Sequence, residues 1–349
     1  MRQTRFIVTA ATVWSLATGA FAQVPEVAAD IAPVHGLVAR VMQGVGTPEL
    51  VVPRGASPHS HAMRPSEARA LDQADLVFWI GSRLTPWLEG PIDSLASDAK
   101  VISLLEADGT RTLTVRDTAQ FGRGHDDDHD EERHDDQHDE HHDDHHDEHS
   151  EDHDAKHDDG HDDDHAEGHD GEHDHDHEVG SLDAHAWLMA ENGSAWLKVI
   201  ADALAEFDPE NGDLYQRNAT EGQAEIAAAT TAISANLTKV EDGTFVVFHD
   251  AYQYFETGFG IQAAGAISLG DATDPSPARI AEIRDVVREM NVKCVLSEPQ
   301  FSPGLVETVL DGTEARTAVI DPLGVNLELG TDFYPMLLTA VGEAIASCY

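Results

Sequence analysis

Along this chain, short runs of apolar and β-branched residues alternate with stretches whose apolar positions recur every three or four residues. In the first half the short runs fall at 24–31, 50–53, 75–80 and 101–104, and in the second at 244–248, 261–267, 292–297 and 317–320. Between them, Leu37, Val38, Val41 and Met42 keep helical spacing and stop at Gly44, and Ser66 is placed to cap a helix over 67–74. Ser276-Pro277 opens a helix with Ile280, Ile283, Val287 and Met290 on one face; Ser302-Pro303 opens another with Leu305, Val306, Val309 and Leu310. Strand and helix alternating in each half predict an α/β protein of two lobes, each with a mostly parallel four-stranded sheet flanked by helices.

The stretch joining the halves has a different pattern. Tyr215, Ala219, Gly222, Ile226, Ala229, Ile233 and Leu237 form one small or apolar stripe that ends before Asp242-Gly243. A continuous helix of about 30 residues there would be roughly 45 Å long, a stiff strut between lobes. The alternative is two shorter helices broken near Gly222. The expected organisation is an export signal at 1–22, an N-terminal lobe at 23–208, a linking helix at 209–241 and a C-terminal lobe at 242–349. The signal reading rests on Arg2 and Arg5, the apolar run 6–19 and the small residues Ala20 and Ala22. That run is short of the roughly 20 residues a membrane span needs.

Composition changes the picture in one place. Seventeen of the 22 histidines lie between His125 and His177, among Asp, Glu and Gly. Residues 125–178 hold 28 acidic side chains against Arg133 and Lys156, so much of the formal charge of −45 sits there. With no aromatic residue and almost no aliphatic one, this insertion cannot offset its ordering entropy by burial, and is expected to be a disordered loop. Its groups suit metal cations, whereas nucleic acid requires clustered Lys and Arg. Cys294 and Cys348 are the only cysteines. In an exported chain they are expected to pair, closing a loop worth roughly 4 kcal/mol in the entropic account.

Outside the insertion only His35, His59, His61, His185 and His249 remain. Parallel α/β sheets bind ligands beyond the carboxyl ends of their strands. His59 follows the second run, His249 ends the run 244–248, Glu298 ends 292–297, Asp321 ends 317–320, and His185 stands where the chain leaves the acidic insertion. Three imidazoles and a carboxylate or water suit Zn²⁺. His61 stays open as a replacement for His59, Asp183 as a partner of His185 or a helix cap, and Glu298 as a cap or ion pair.

At this point the residues resemble a family. Gly55-Ala56-Ser57-Pro58-His59 followed by Arg64-Pro65-Ser66, Asp183-Ala184-His185-Ala186-Trp187-Leu188, His249-Asp250-Ala251-Tyr252-Gln253-Tyr254-Phe255, Ser297-Glu298-Pro299-Gln300-Phe301 and Asp321-Pro322-Leu323-Gly324 are similar to the periplasmic zinc-binding subunits of ABC importers. The resemblance covers essentially the whole mature chain. It implies two α/β lobes joined by one long rigid helix, with zinc in the cleft on His59, His185 and His249. It implies water or Asp321 in the fourth position, since Pro58 stands where some relatives have a glutamate. It also implies a Cys294–Cys348 disulfide. The function expected is capture of Zn²⁺ in the periplasm by a monomer that catalyses nothing and delivers the ion to a membrane permease. The His-rich loop is expected to hold further zinc weakly. The rival readings are a zinc store without a transporter and a secreted zinc hydrolase.

Overall fold

A computed structural model describes residues 24–116, 118, 121, 181–242, 244–268, 276–299 and 303–349. The expected export signal at 1–22 and the insertion at 125–178 lie outside the described residues.

All eight predicted runs become strands. The first lobe holds β1 (Val27–Ala29), β2 (Glu49–Leu50), β3 (Leu76–Trp79) and β4 (Lys100–Ser103); the second holds β5 (Phe245–His249), β6 (Gly265–Ser268), β7 (Cys294–Ser297) and β8 (Arg316–Val319). Both sheets are parallel throughout, in the orders β2-β1-β3-β4 and β6-β5-β7-β8. The same winding thus occurs twice, and each sheet reverses strand order beside its first strand. That reversal opens a crevice at the carboxyl ends of β1 and β3, and of β5 and β7.

Side-chain alternation divides each sheet into two faces. In the first lobe Ala28, Val77 and Trp79 pack outward with Leu71, Leu88 and Ile92 of α2 (Pro65–Asp72), α3 (Glu89–Leu95) and the short turn between them. In the second, Val246, Phe248 and Val295 pack outward on α7 (Pro277–Glu289) and α8 (Pro303–Leu310). The inner faces share one core. Val27, Ala29 and Phe78 join Phe245, Val247 and Leu296 through α1 (Ala32–Val41), α4 (Ala190–Phe207), α5 (Gly212–Leu237) and α9 (Phe333–Ala346). The remaining helix, α6 (Gln253–Phe259), follows β5.

The linking segment is one unbroken helix of 26 residues, about 39 Å long. Its predicted stripe is its buried face, with Tyr215, Ala219, Gly222, Ile226, Ile233 and Leu237 all covered. Gly222 marks close packing: a Cβ there would lie 2.9 Å from Leu197 and 3.0 Å from Arg40. The helix packs on α1 and α4 near one end and on α9 near the other. Among the described residues no helix is long and apolar enough to cross a membrane.

Two helix starts refine the reading. Ser276 caps α7 as expected, accepting from Arg279 N at 3.2 Å. Ser66 does not cap α2: Pro65 takes the first helical position, and Arg64 becomes the cap residue, its N donating to Glu67 Oε2 at 2.6 Å. The Cys294 and Cys348 sulfurs are bonded, with Cα atoms 5.7 Å apart, and tie β7 to the end of the chain.

Asp30, just past β1, spans the first lobe's crevice. It is fully buried and accepts from Ile31 N at 2.8 Å and Ile80 N at 2.7 Å. Burial pushes its pKa up to about 7 against the pull of those two amides. The folded chain therefore keeps a proton between pH 4 and 7 that the unfolded chain releases. Stability from this group is fullest below the ordinary carboxyl range and is lost as pH rises through 7, at about 1.4 kcal/mol per unit. Urea unfolding across pH 4.5–7.5 should show that slope in wild type minus Asp30→Asn; a flat difference would refute it.

Candidate metal centre

Three of the five predicted histidines come together between the crevices. His249 is the last residue of β5 and only 2% exposed, with Glu298 just past β7 beside it. His249 Nδ1 donates to Glu298 Oε1 at 2.6 Å. The strand-order reversal explains the pairing, because β5 and β7 are neighbours whose ends point the same way. His185 precedes a tight turn at Ala186–Leu188, and its Nδ1 donates to Asp183 Oδ1 at 2.7 Å. The same oxygen accepts from His185 N at 2.9 Å, so ring and backbone are fixed by one carboxylate.

A carboxylate on Nδ1 holds the proton of a neutral imidazole there and turns its Nε2 outward as the ligating atom. The two Nε2 atoms face each other 3.4 Å apart. Tetrahedral Zn²⁺ with bonds of about 2.05 Å separates its nitrogen ligands by about 3.3 Å. The observed spacing is that of two corners of such a site.

His59 supplies the third ring, its centroid 5.8 Å from that of His185, while the His185 and His249 centroids are 5.2 Å apart. It sits on the loop after β2, where Gly55 takes a positive φ of 84° and Trp87 Nε1 donates to Pro58 O at 2.7 Å. Among the described residues, no three His, Cys, Asp or Glu side chains already meet at the spacing of a finished cation site. The rings are gathered into an open cluster, with His185 and His249 preset against each other.

Asp321 follows β8 close by, but its oxygens are engaged. Oδ1 accepts from Leu323 N and Gly324 N, both at 2.9 Å, and Oδ2 from Val325 N at 2.6 Å. Its charge also acts on Tyr252. Burial first, and then the charges of Glu298 and Asp321, hold that phenol well above its usual range. His61 is turned away: its Nε2 donates to Glu67 Oε2 at 2.8 Å, and its ring meets Trp87 edge-on. His35 is buried in α1 and donates to Pro48 O at 3.0 Å.

The residue that sequence reasoning underrated is Glu298. Its place at a strand end was legible, whereas its pairing required knowing that β5 and β7 are adjacent.

With this geometry in view, the likenesses of the chain become informative. The family model described as zinc-uptake complex component A, periplasmic, matches residues 27–348. The chain is 44% identical over 322 residues to the high-affinity zinc uptake system protein ZnuA of Brucella abortus (strain 2308), covering 92% of this chain and 91% of that protein. It is 44% identical over 343 residues to the protein of the same name from Paracoccus denitrificans (strain Pd 1222), covering 98% and 97%. Among solved structures, a crystal structure of ZnuA superposes with a TM-score of 0.67 at 19% identity, covering 93% of this chain and 99% of that one. A zinc-bound deletion mutant of ZnuA gives 0.66 at 20%, covering 93% and 98%. At these identities the structures speak for the two-lobed fold alone.

Proposed function

Because the chain belongs to the family of periplasmic zinc-uptake complex component A proteins, we propose that it captures Zn²⁺ on His59, His185 and His249 and hands the ion to the permease of an ABC transporter. The observation that carries the reading is the pair of Nε2 atoms 3.4 Å apart, each on a ring whose other nitrogen is held by a buried carboxylate. A carboxylate behind a ligating imidazole fixes its tautomer and raises its basicity. His59, on a loop of the opposite lobe from His249, completes the set as the ion arrives.

Water takes the fourth position, with Asp321 close to it. Three backbone amides already compete for the Asp321 oxygens, which favours its role as a brace over that of a ligand. The relatives bear names of uptake proteins, not of enzymes, which accords with binding and release as the whole activity. We assign 1–22 to an export signal, 23–208 and 242–349 to the lobes, 209–241 to the linker, and a periplasmic location to a mature monomer whose Cys294–Cys348 disulfide persists. The His-rich stretch 125–178 adds weak zinc sites.

Competitive titration of mature protein against a chromophoric zinc chelator tests the site. One tight equivalent is expected, followed by weaker ones that vanish when 125–178 is removed. His61→Ala should leave the tight equivalent within about threefold of wild type, since His61 bonds Glu67 and neither ligates nor supports one of the three rings. A hundredfold loss in that variant would move the site to His61 and overturn the ligand set. Delivery is tested by zinc uptake into vesicles carrying the cognate permease, which should depend on adding this protein.

A further inference from the structure

We infer that Arg116 is a positioning residue for His249: a guanidinium carried by the first lobe that grips the corner next to this histidine and sets the aim of its ring. The inference rests on the metal-centre reading above.

The residue after His249 is Asp250, and it is held at both ends. Its N donates to Ser268 O at 3.2 Å, and Ala251 N closes back on His249 O at 2.9 Å, making a tight corner at the end of β5. Its carboxylate takes Arg116 Nε at 3.0 and 2.9 Å, and Arg116 Nη2 bonds Oδ1 as well. The same guanidinium reaches Glu256 of α6, through Nη1 at 2.9 Å and Nη2 at 3.0 Å. Glu256 Oε2 also accepts from Ala263 N at 3.1 Å. The Phe121 ring lies 3.6 Å from the guanidinium carbon. Arg116, Asp250 and Glu256 side chains are 15%, 5% and 4% exposed.

Buried ion clusters of this kind add little stability over apolar packing, because desolvation offsets the attraction. What a planar guanidinium bound to two carboxylates does provide is direction. Here the direction links the two preset rings. Arg116 leaves a short ribbon in which Thr114 pairs with Leu182, and Asp183 N donates to Leu113 O at 2.8 Å. Asp183 holds His185; Asp250 is joined to His249. One ribbon of the first lobe therefore reaches the support of His185 and the backbone corner that carries His249, and the 3.4 Å spacing depends on it.

The test loads full-length mature protein with one equivalent of Co²⁺, whose visible ligand-field bands report the donor geometry, and follows Zn²⁺ release into excess chelator by stopped flow. Arg116→Lys keeps the charge but loses the planar fork that bonds two carboxylates at fixed angles. It is expected to alter the cobalt bands and to release zinc at least about tenfold faster, the range seen when outer partners of metal ligands are lost. Arg40→Lys is the control: Arg40 is another buried arginine bound by two glutamates, Glu221 and Glu225, on α1 and α5 rather than beside the rings. It should lower the melting temperature without moving the cobalt bands. Asp250→Asn loosens the same corner from the other side and replaces Arg116→Lys if that variant does not fold. A wild-type cobalt spectrum and release rate in Arg116→Lys, or equal spectral change in Arg40→Lys, overturns the inference. Absence of tetrahedral cobalt bands in wild type would instead defeat the three-histidine reading.

Discussion

His249→Ala should weaken the tight zinc equivalent by on the order of a hundred- to a thousandfold. Structural zinc sites bind with apparent free energies of about 10–16 kcal/mol over four ligands, so one imidazole accounts for roughly 3 kcal/mol. A second loss adds to it. Glu298 is only 3% exposed, and its carboxylate accepts from His249 Nδ1. Without that ring the buried carboxylate loses its hydrogen bond from Nδ1, which is unfavourable. The loss should be read by chelator competition at fixed pH, with stoichiometry from the weaker sites scored separately. Glu298→Gln should show a smaller effect, about ten- to a hundredfold, because the ligand stays and only its orientation and basicity change. A His249→Ala protein within tenfold of wild type would mean that the ion sits elsewhere.

The architecture could be read from the sequence because the hydrophobic signal was local. Each of the eight β-rich runs is a strand, displaced by at most a few residues, since a buried parallel strand needs only a short apolar run. The stripe from Tyr215 to Leu237 could be read for the same reason, and Gly222 did not break it because Leu197 and Arg40 fill the space beside it. His59, His185 and His249 stood out because so few histidines lay outside the insertion and each fell at a strand end or motif. What could not be read was everything that depends on distance in sequence. Arg116 lies in a stretch with no hydrophobic period, and its partners are 134 and 140 residues away. The choice between His59 and His61 was equally silent in the pattern. What favours His59 is Glu67, whose carboxylate takes His61 and caps α2 together.

The second large effect concerns the turn after His185. Gly193→Ala should destabilise the protein by about 3–5 kcal/mol and weaken zinc binding as well. A Cβ at Gly193 would lie 2.3 Å from both Cζ and Oη of Tyr334, an overlap that α4 and α9 can relieve only by moving that ring. Tyr334 is buried and its hydroxyl donates to Trp187 O at 2.6 Å and Met189 O at 3.1 Å. Those carbonyls belong to the turn that begins at His185, and Trp187 Nε1 extends it to Pro322 O at 2.8 Å, next to Asp321. Overpacking alone costs about 1–3 kcal/mol, and the displaced hydroxyl leaves buried carbonyls short of a donor at a similar cost. Thermal melting of apo protein should therefore fall by roughly ten degrees. Zinc affinity should fall too, because the turn that aims His185 has lost its brace from α9. Gly193→Ala combined with Tyr334→Leu should recover part of the melting loss, since the smaller side chain vacates the overlap, but not the affinity, since the hydroxyl is still missing. A single variant that melts like wild type would show that α4 and α9 can slide apart freely, and the reading of Tyr334 as the brace of the turn after His185 would fall with it.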